Sequence, residues 1–354
     1  MLSSKEQFVE ARKIYDLLED EESKIVFKNR LLYLVTGERK YIHHMVEYNY
    51  PEHYQNFAEI CKRATEIVLY GAGDYCYSAF EACLEYADRK PDYICDSNEE
   101  KWGKIGPGGL QVISPEELKR EHKEATVIIS TVQCKDEIME KLKADFPDER
   151  VFALGLNLSD ITLEEQYFDK GIVSFDANGE YFVDGGAFDL KTSLILSKKT
   201  LVKKVYAFEA DLLNKEKIED SQEKNPELSV ELHMQGLWDK QETLFFESGE
   251  EMESKIADNE AEGNSRIEAV SLDEAVNDKV TFIKMDIEGA ELKALQGAKN
   301  TIMKQHPKLA ICVYHKPEDM IDIPSYIHEI VPEYKLYMRH YADFQYDTVL
   351  YAVP

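Results

Sequence analysis

Twice in this chain an unbroken apolar run of strand length stops at glycines and turns straight into a helical pattern. The first case is IVLYGAGDYCYSAF, from Ile67 to Phe80, and the second is EYFVDGGAFDLKTSLIL, from Glu180 to Leu196. An apolar run without alternation suits a strand covered on both faces, and glycines at its end allow the sharp entry into a helix. The grammar continues past each turn. After the first come a helix (SAFEACLEYA), a strand (PDYICDSN), a helix opening on Ser and Pro (SPEELKRE), a strand (ATVIISTV), a helix (KDEIMEKLKAD) and a strand (RVFAL). After the second come a helix at DLKTSLILSKKT, a strand at KVYAFEA, a helix at DLLNKEKIEDSQ, strands at LSVELHMQGLWD and ETLFFES, the strand–helix unit VTFIKMDIEGAELKALQGAKNTI and the strands KLAICVYH, YKLYMRHY and DTVLYAVP. Such alternation builds parallel sheets covered by helices.

The expected fold is therefore α/β, with two doubly wound Rossmann-like domains preceded by a helical arm. The arm is residues 1–63, where apolar residues such as Ile14, Leu17, Leu18, Ile25 and Val26 recur at helical spacing. The first α/β domain is 64–155 and the second is 156–354. The arm carries no catalytic motif and is expected to pack on a neighbouring domain or to join two copies as a homo-oligomer. The polar, acidic piece 248–266 reads as a loop or lid.

Composition narrows the partners. The chain has 354 residues, enough for two domains, and 44% hydrophobic content, enough for packed cores. Asp plus Glu number 69 against 42 Lys plus Arg, a formal charge of −27. That charge repels phosphate backbones and anionic membranes, so neither nucleic acid nor membrane is expected as a partner. The six cysteines, Cys61, Cys76, Cys83, Cys95, Cys134 and Cys312, form no CxxC pair and sit mostly in apolar runs. With no signal-peptide pattern and no apolar run of spanning length, the expected location is the cytoplasm.

The two glycine turns differ in charge. In VLYGAGDYCYS, Gly71 and Gly73 occupy the first two positions of G-x-G-x-x-G, but Cys76 stands at the third. Asp74 and Tyr75 enter the helix, and Asp96 ends the next strand 23 residues past Gly73, where a carboxylate meets a ribose. A nucleotide or sugar nucleotide is the ligand expected there. In YFVDGGAFDLKTS an acid, Asp184, precedes Gly185, Gly186 and Ala187. A carboxylate there disfavours pyrophosphate and favours a cation. S-adenosylmethionine, with a sulfonium and an ammonium and no phosphate, meets that requirement. Glu209 and Ala210 follow the next strand, with Glu209 placed to accept the ribose hydroxyls. Gly236, Leu237, Trp238 and Asp239 are placed to line an adenine, with Trp238 as a stacking face. Asp286 ends the strand FIKM, and Glu288 and Glu291 open the following helix. Each residue alone has an ordinary structural role, as a cap, a core residue or a solvated strand end. In order along one doubly wound sheet, whose ligands bind outside the carboxyl ends of the strands, they point to methyl transfer.

The segments FVDGGAFDLKTS, VYAFEAD, SLDEAV and above all FIKMDIEGAELKALQGAKNTI, with K-x-D-x-E-G-x-E followed by L-x-G-A, resemble the FkbM family of S-adenosylmethionine-dependent methyltransferases. The resemblance covers roughly 160–354. It implies the seven-stranded sheet of class I methyltransferases and a hydroxyl acceptor on a sugar, a glycan precursor or a small natural product. Phe188 and Asp189 depart from the more common Asn-Ile-Gly type of continuation, a change that bears on how the methionine end is held. Residues 64–155 look similar to small nucleotide-binding domains found beside sugar-modifying enzymes.

Methyl transfer to an alcohol needs the acceptor oxygen in line with methyl and sulfur, and a base for its proton. His315, at the end of LAICVYH, is the expected base, with Asp286 and Glu288 as the other catalytic candidates. A divalent metal on Asp286, Glu288 and His315 is a second use of the same residues. Arg339 and His340 are candidates for acceptor contact. The alternative function is a nicotinamide-dependent sugar-nucleotide enzyme centred on the first glycine turn, weakened by Cys76 and by the lack of a Tyr-x-x-x-Lys pair. A third reading makes both domains ligand-binding regulatory modules.

Overall fold

In the computed structural model, residues 4–247, 255–257 and 265–354 are described. Most of the predicted loop 248–266 lies outside them, although Lys255–Ala257 within it is a strand. The chain forms two compact units. One comprises residues 1–27, 164–339 and 346–354, the other 28–163 and 340–345. Residues 1–63 carry four helices, α1 (Ser4–Leu17), α2 (Glu21–Thr36), α3 (Lys40–Asn49) and α4 (Pro51–Arg63), and these are shared between the units.

The unit around residues 28–163 is built on five parallel strands, β1 (Ile67–Tyr70), β2 (Tyr93–Cys95), β3 (Val112–Ile113), β4 (Thr126–Ile129) and β5 (Val151–Ala153). Their order, β3-β2-β1-β4-β5, reverses direction between β1 and β4, as in doubly wound sheets. The apolar runs are unbroken because both faces are covered. Side chains alternate between those faces. Ile67 and Leu69 pack with Cys76, Ala79 and Cys83 of α5 (Tyr75–Ala87) and with Tyr54, Phe57 and Cys61 of α4. Val68 and Tyr70 join Val127, Ile129 and Leu142 in a second cluster.

The other unit holds a sheet of seven strands: β6 (Glu180–Gly185), β7 (Val202–Phe208), β8 (Val230–His233), β13 (Phe282–Met285), β14 (Lys308–Cys312), β15 (Lys335–His340) and β16 (Thr348–Val353). The intervening β9 (Gly236–Leu237), β10 (Glu242–Glu247), β11 (Lys255–Ala257) and β12 (Ser265–Val270) form a separate sheet in the order β11-β10-β12-β9. The seven-stranded order is β15-β16-β14-β13-β6-β7-β8. Strands β14, β13, β6, β7 and β8 run parallel to their neighbours, and β16 is antiparallel to β14. This is the sheet that the resemblance implies.

The turn between α1 and α2 extends the β15 side of this sheet. Leu18 bridges Leu336 in parallel, and the Glu19 amide donates to the Leu336 carbonyl at 3.0 Å. Arg339 is held there by Asp20 at 2.7 Å, Glu22 at 3.1 Å and Asp169 at 3.4 Å. The guanidinium proposed for acceptor contact is thus committed to docking the chain's own N-terminal segment on an edge strand.

Candidate active site

The candidate residues of the seven-stranded sheet gather at the carboxyl ends of β6, β7, β13 and β14. The turn after β6 is set by crowding. Gly186 has φ +75°, and a Cβ there would lie 2.0 Å from the carbonyl oxygen of Asp286. A Cβ on Gly185 would sit 3.1 Å from the Lys284 carbonyl, a tight contact rather than a clash. No larger residue lets the β6 turn approach β13 this closely.

Asp184 is placed differently from the sequence expectation. Its carboxylate is fully buried beneath the turn, accepts a hydrogen bond from the Ser193 hydroxyl at 2.6 Å and pairs with the Lys284 ammonium at 3.3 Å. Asp184 and Lys284 are direct partners in the β6–β13 register, so the cation that this acid attracts belongs to the protein. The same ammonium donates to the carbonyls of Gly185 at 3.0 Å and Gly186 at 2.8 Å. Burial would pull Lys284 down, but Asp184 and Asp286 outweigh it and hold its pKa above the usual lysine value. The K and the D of the two motifs form one brace under the glycine turn.

Glu209 lies one residue past the end of β7. It is 8% exposed, and its two carboxylate oxygens accept from the amides of Phe188 at 2.9 Å and Asp211 at 2.8 Å. Phe188 reaches this position with φ +50°. Each oxygen keeps a free lone pair, so two further donors fit. Gly236 lies beside Ala210, 3.6 Å from the position of its own missing Cβ. Leu237 is buried behind the Gly185 turn. Trp238 is half-buried, and its indole N–H donates to Glu242 at 2.7 Å, while Asp239 pairs with Lys293 at 2.8 Å. The glycine of the L-x-G-A element, Gly297, is explained here: a Cβ on it would lie 1.9 Å from the Trp238 carbonyl.

At the ends of β13 and β14 the structure brings Asp286, Glu288, Glu291 and His315 together. His315 Nδ1 lies 2.9 Å from Glu291, and Nε2 lies 3.5 Å from both Asp286 and Glu288. Burial lowers the imidazole pKa, but the three carboxylates outweigh it and push it up to about 9. The surrounding carboxylates thus favour the protonated imidazole. Asp286 accepts from two tyrosines, one on each oxygen, Tyr167 at 2.8 Å and Tyr314 at 3.0 Å. Burial raises its pKa, and Lys284, His315 and Tyr167 bring it below the ordinary value. Glu288 is 47% exposed at its side chain, with φ +56°. Burial of the rest of the carboxyl raises its pKa. Sequence reasoning missed Tyr167 and Tyr314. Tyr314 adjoins His315 at a strand end, a usable signal, whereas Tyr167 sits in the connecting segment with φ +70° and nothing nearby in sequence marks it.

The first glycine turn is internally satisfied. Gly71 has φ +118°, and a Cβ there would lie 3.0 Å from the Ser130 carbonyl, whereas nothing approaches one on Gly73 within 4 Å. Asp96, expected on a ribose, accepts from the Ala72 amide at 2.7 Å and the Asn98 amide at 2.8 Å and pairs with Lys101 at 3.0 Å. An acid on the turn's own amide occupies a donor that a phosphate needs. Asp74 is exposed, with its carbonyl bonded by Arg39 at 2.7 Å, and Tyr75 is buried in the core. All six cysteines are free, and five are buried. Among the described residues no helix is long and apolar enough to cross a membrane.

The solved structure of methyltransferase FkbM from Methylobacillus flagellatus KT aligns with a TM-score of 0.51 and 20% identity, covering 84% of this chain and 93% of that one. That is a likeness of fold. An rRNA methylase from Streptococcus thermophilus aligns with a TM-score of 0.34 and 16% identity over 56% of this chain and 94% of that one, too distant to add to it. No curated protein matches the chain. Residues 184–345 match the profile of the methyltransferase FkbM domain, spanning the β6 turn, the Glu209 strand end and the K-x-D-x-E-G-x-E helix start described above. Residues 184–345 are therefore similar to the methyltransferase FkbM domain.

Proposed function

We infer that the chain transfers the methyl group of S-adenosylmethionine to a hydroxyl oxygen of a sugar, a glycan precursor or a small natural product. The observation that carries this reading is Glu209, an acid fixed by two backbone amides beside a glycine turn too crowded for any side chain at position 186. Its free lone pairs suit the two ribose hydroxyls, and the adjacent Gly236–Asp239 segment suits the adenine. Asp184 serves the donor indirectly, by holding Lys284 against the turn carbonyls.

The acceptor oxygen attacks the methyl carbon in line with sulfur. The C–S bond breaks as the C–O bond forms, sulfur keeps the bonding electron pair, and the hydroxyl proton must leave. Among the carboxylates at the strand end, Glu288 has the capacity to take that proton. Asp286 already accepts from two tyrosines, and Glu291 is buried. Calorimetry tests the donor. S-adenosylmethionine should bind in the micromolar range, and Glu209→Ala should weaken it by about 10- to 100-fold, the worth of one or two hydrogen bonds to a charged group. Binding of NAD without S-adenosylmethionine would overturn this reading in favour of the nicotinamide-dependent alternative.

A further inference from the structure

We propose that the cluster at the ends of β13 and β14 holds one divalent cation, with Asp286, Glu291 and His315 as its protein ligands. The proposal rests on the reading above for placing the acceptor at this strand end. Glu291 replaces Glu288 in the ligand set suggested by the sequence. One potential ligand atom from each residue lies within 4.8 Å of the others, a spread that one ion spans with bonds of roughly 2.0–2.6 Å.

An independent feature points to a ligand. Glu291 is fully buried, one of its oxygens accepts from the Ile287 amide at 2.9 Å, and the other, Oε2, has no hydrogen-bond partner. His315 Nδ1 is also unsatisfied: it lies 2.9 Å from Glu291, but in poor alignment for a hydrogen bond. Buried polar atoms are rarely left so. Three carboxylates, Asp286, Glu288 and Glu291, surround this single imidazole. The nearby lysines do not fill the gap. Lys284 is spent on Asp184 and the glycine turn, and Lys316 bonds the Gly289 carbonyl. Two carboxylates and an imidazole, with no thiolate among them, suit a first-row divalent ion such as Mn²⁺. Glu288 is left half-exposed on the solvent side of the cluster.

The test is a Mn²⁺ titration of the chelator-treated full chain, followed by electron paramagnetic resonance. About one Mn²⁺ should be immobilised per chain, and Glu291→Gln and His315→Gln should each weaken it by about 100-fold. Asp286→Asn serves as a third variant should burial make Glu291→Gln misfold by circular dichroism. Free Mn²⁺ with the wild-type chain, or unchanged binding in folded ligand variants, overturns the proposal. Calorimetry with S-adenosylmethionine on the same samples separates the two readings: donor binding with Mn²⁺ left free sinks the cation site alone.

Discussion

Asp184 and Lys284 show how a residue's charge is used. The acid ahead of the glycines is legible in the sequence as a site for a cation, and so is the lysine two positions before Asp286. That they meet is a matter of strand register, since β6 and β13 are nearly 100 residues apart and pair these two positions directly. Removing one member leaves a buried charge with no counterion. Asp184→Ala should therefore destabilise the fold by about 3–5 kcal/mol in urea unfolding. A wild-type midpoint together with lost S-adenosylmethionine binding would instead return Asp184 to direct ligand contact. Glu209 was legible for a simpler reason. It directly follows its strand and one of its amide bonds, from Asp211, is local, while the other, from Phe188, comes from the turn opposite.

At the scale of elements, the strand–turn–helix units follow from the sequence because periodicity and turn chemistry are local properties. The N-terminal helices are equally legible, but where they dock is not. The segment joining α1 to α2 settles on β15 because Arg339 meets Asp20, Glu22 and Asp169. Burial opposes the guanidinium's charge, yet these acids raise its pKa above the ordinary arginine value. Arg339→Ala should cost about 1–3 kcal/mol locally and raise amide exchange in α1 before global unfolding. Protection of α1 equal to wild type would show that the helix is held by packing alone.

At the scale of the molecule, the unit of residues 28–163 and 340–345 contains two histidines of lowered pKa, the buried His43 and the partly buried His340. His43 sits between the Tyr54 hydroxyl at 3.0 Å and the Ser78 carbonyl at 3.0 Å, and burial lowers its pKa to about 4; burial takes His340 to about 3. Both folded values lie below the unfolded value near 6.5, so the unfolded chain binds more protons between them. Stability from these groups is fully present above about pH 6.5 and is lost as pH falls toward 4 and 3. For His43 the loss reaches roughly 3 kcal/mol by pH 4. Thermal unfolding should show a midpoint that drops steeply below pH 6, with a shallower drop in His43→Gln. A midpoint flat from pH 7 to 4.5 contradicts this account.

The sequence by itself determined that this chain is α/β, that it contains two glycine turns of which only the second is preceded by an acid, and that acids stand at successive strand ends of its second sheet. Each of these is written in residues close together along the chain. Only the tertiary structure decided that Asp184 is buried against Lys284, that Asp96 folds back onto the first glycine turn, that Tyr167 closes on Asp286 from a connecting segment, and that Glu291 meets His315 behind it. Those outcomes depend on strand register and on which helix start packs beside which strand end, and neither is set by any short stretch of residues.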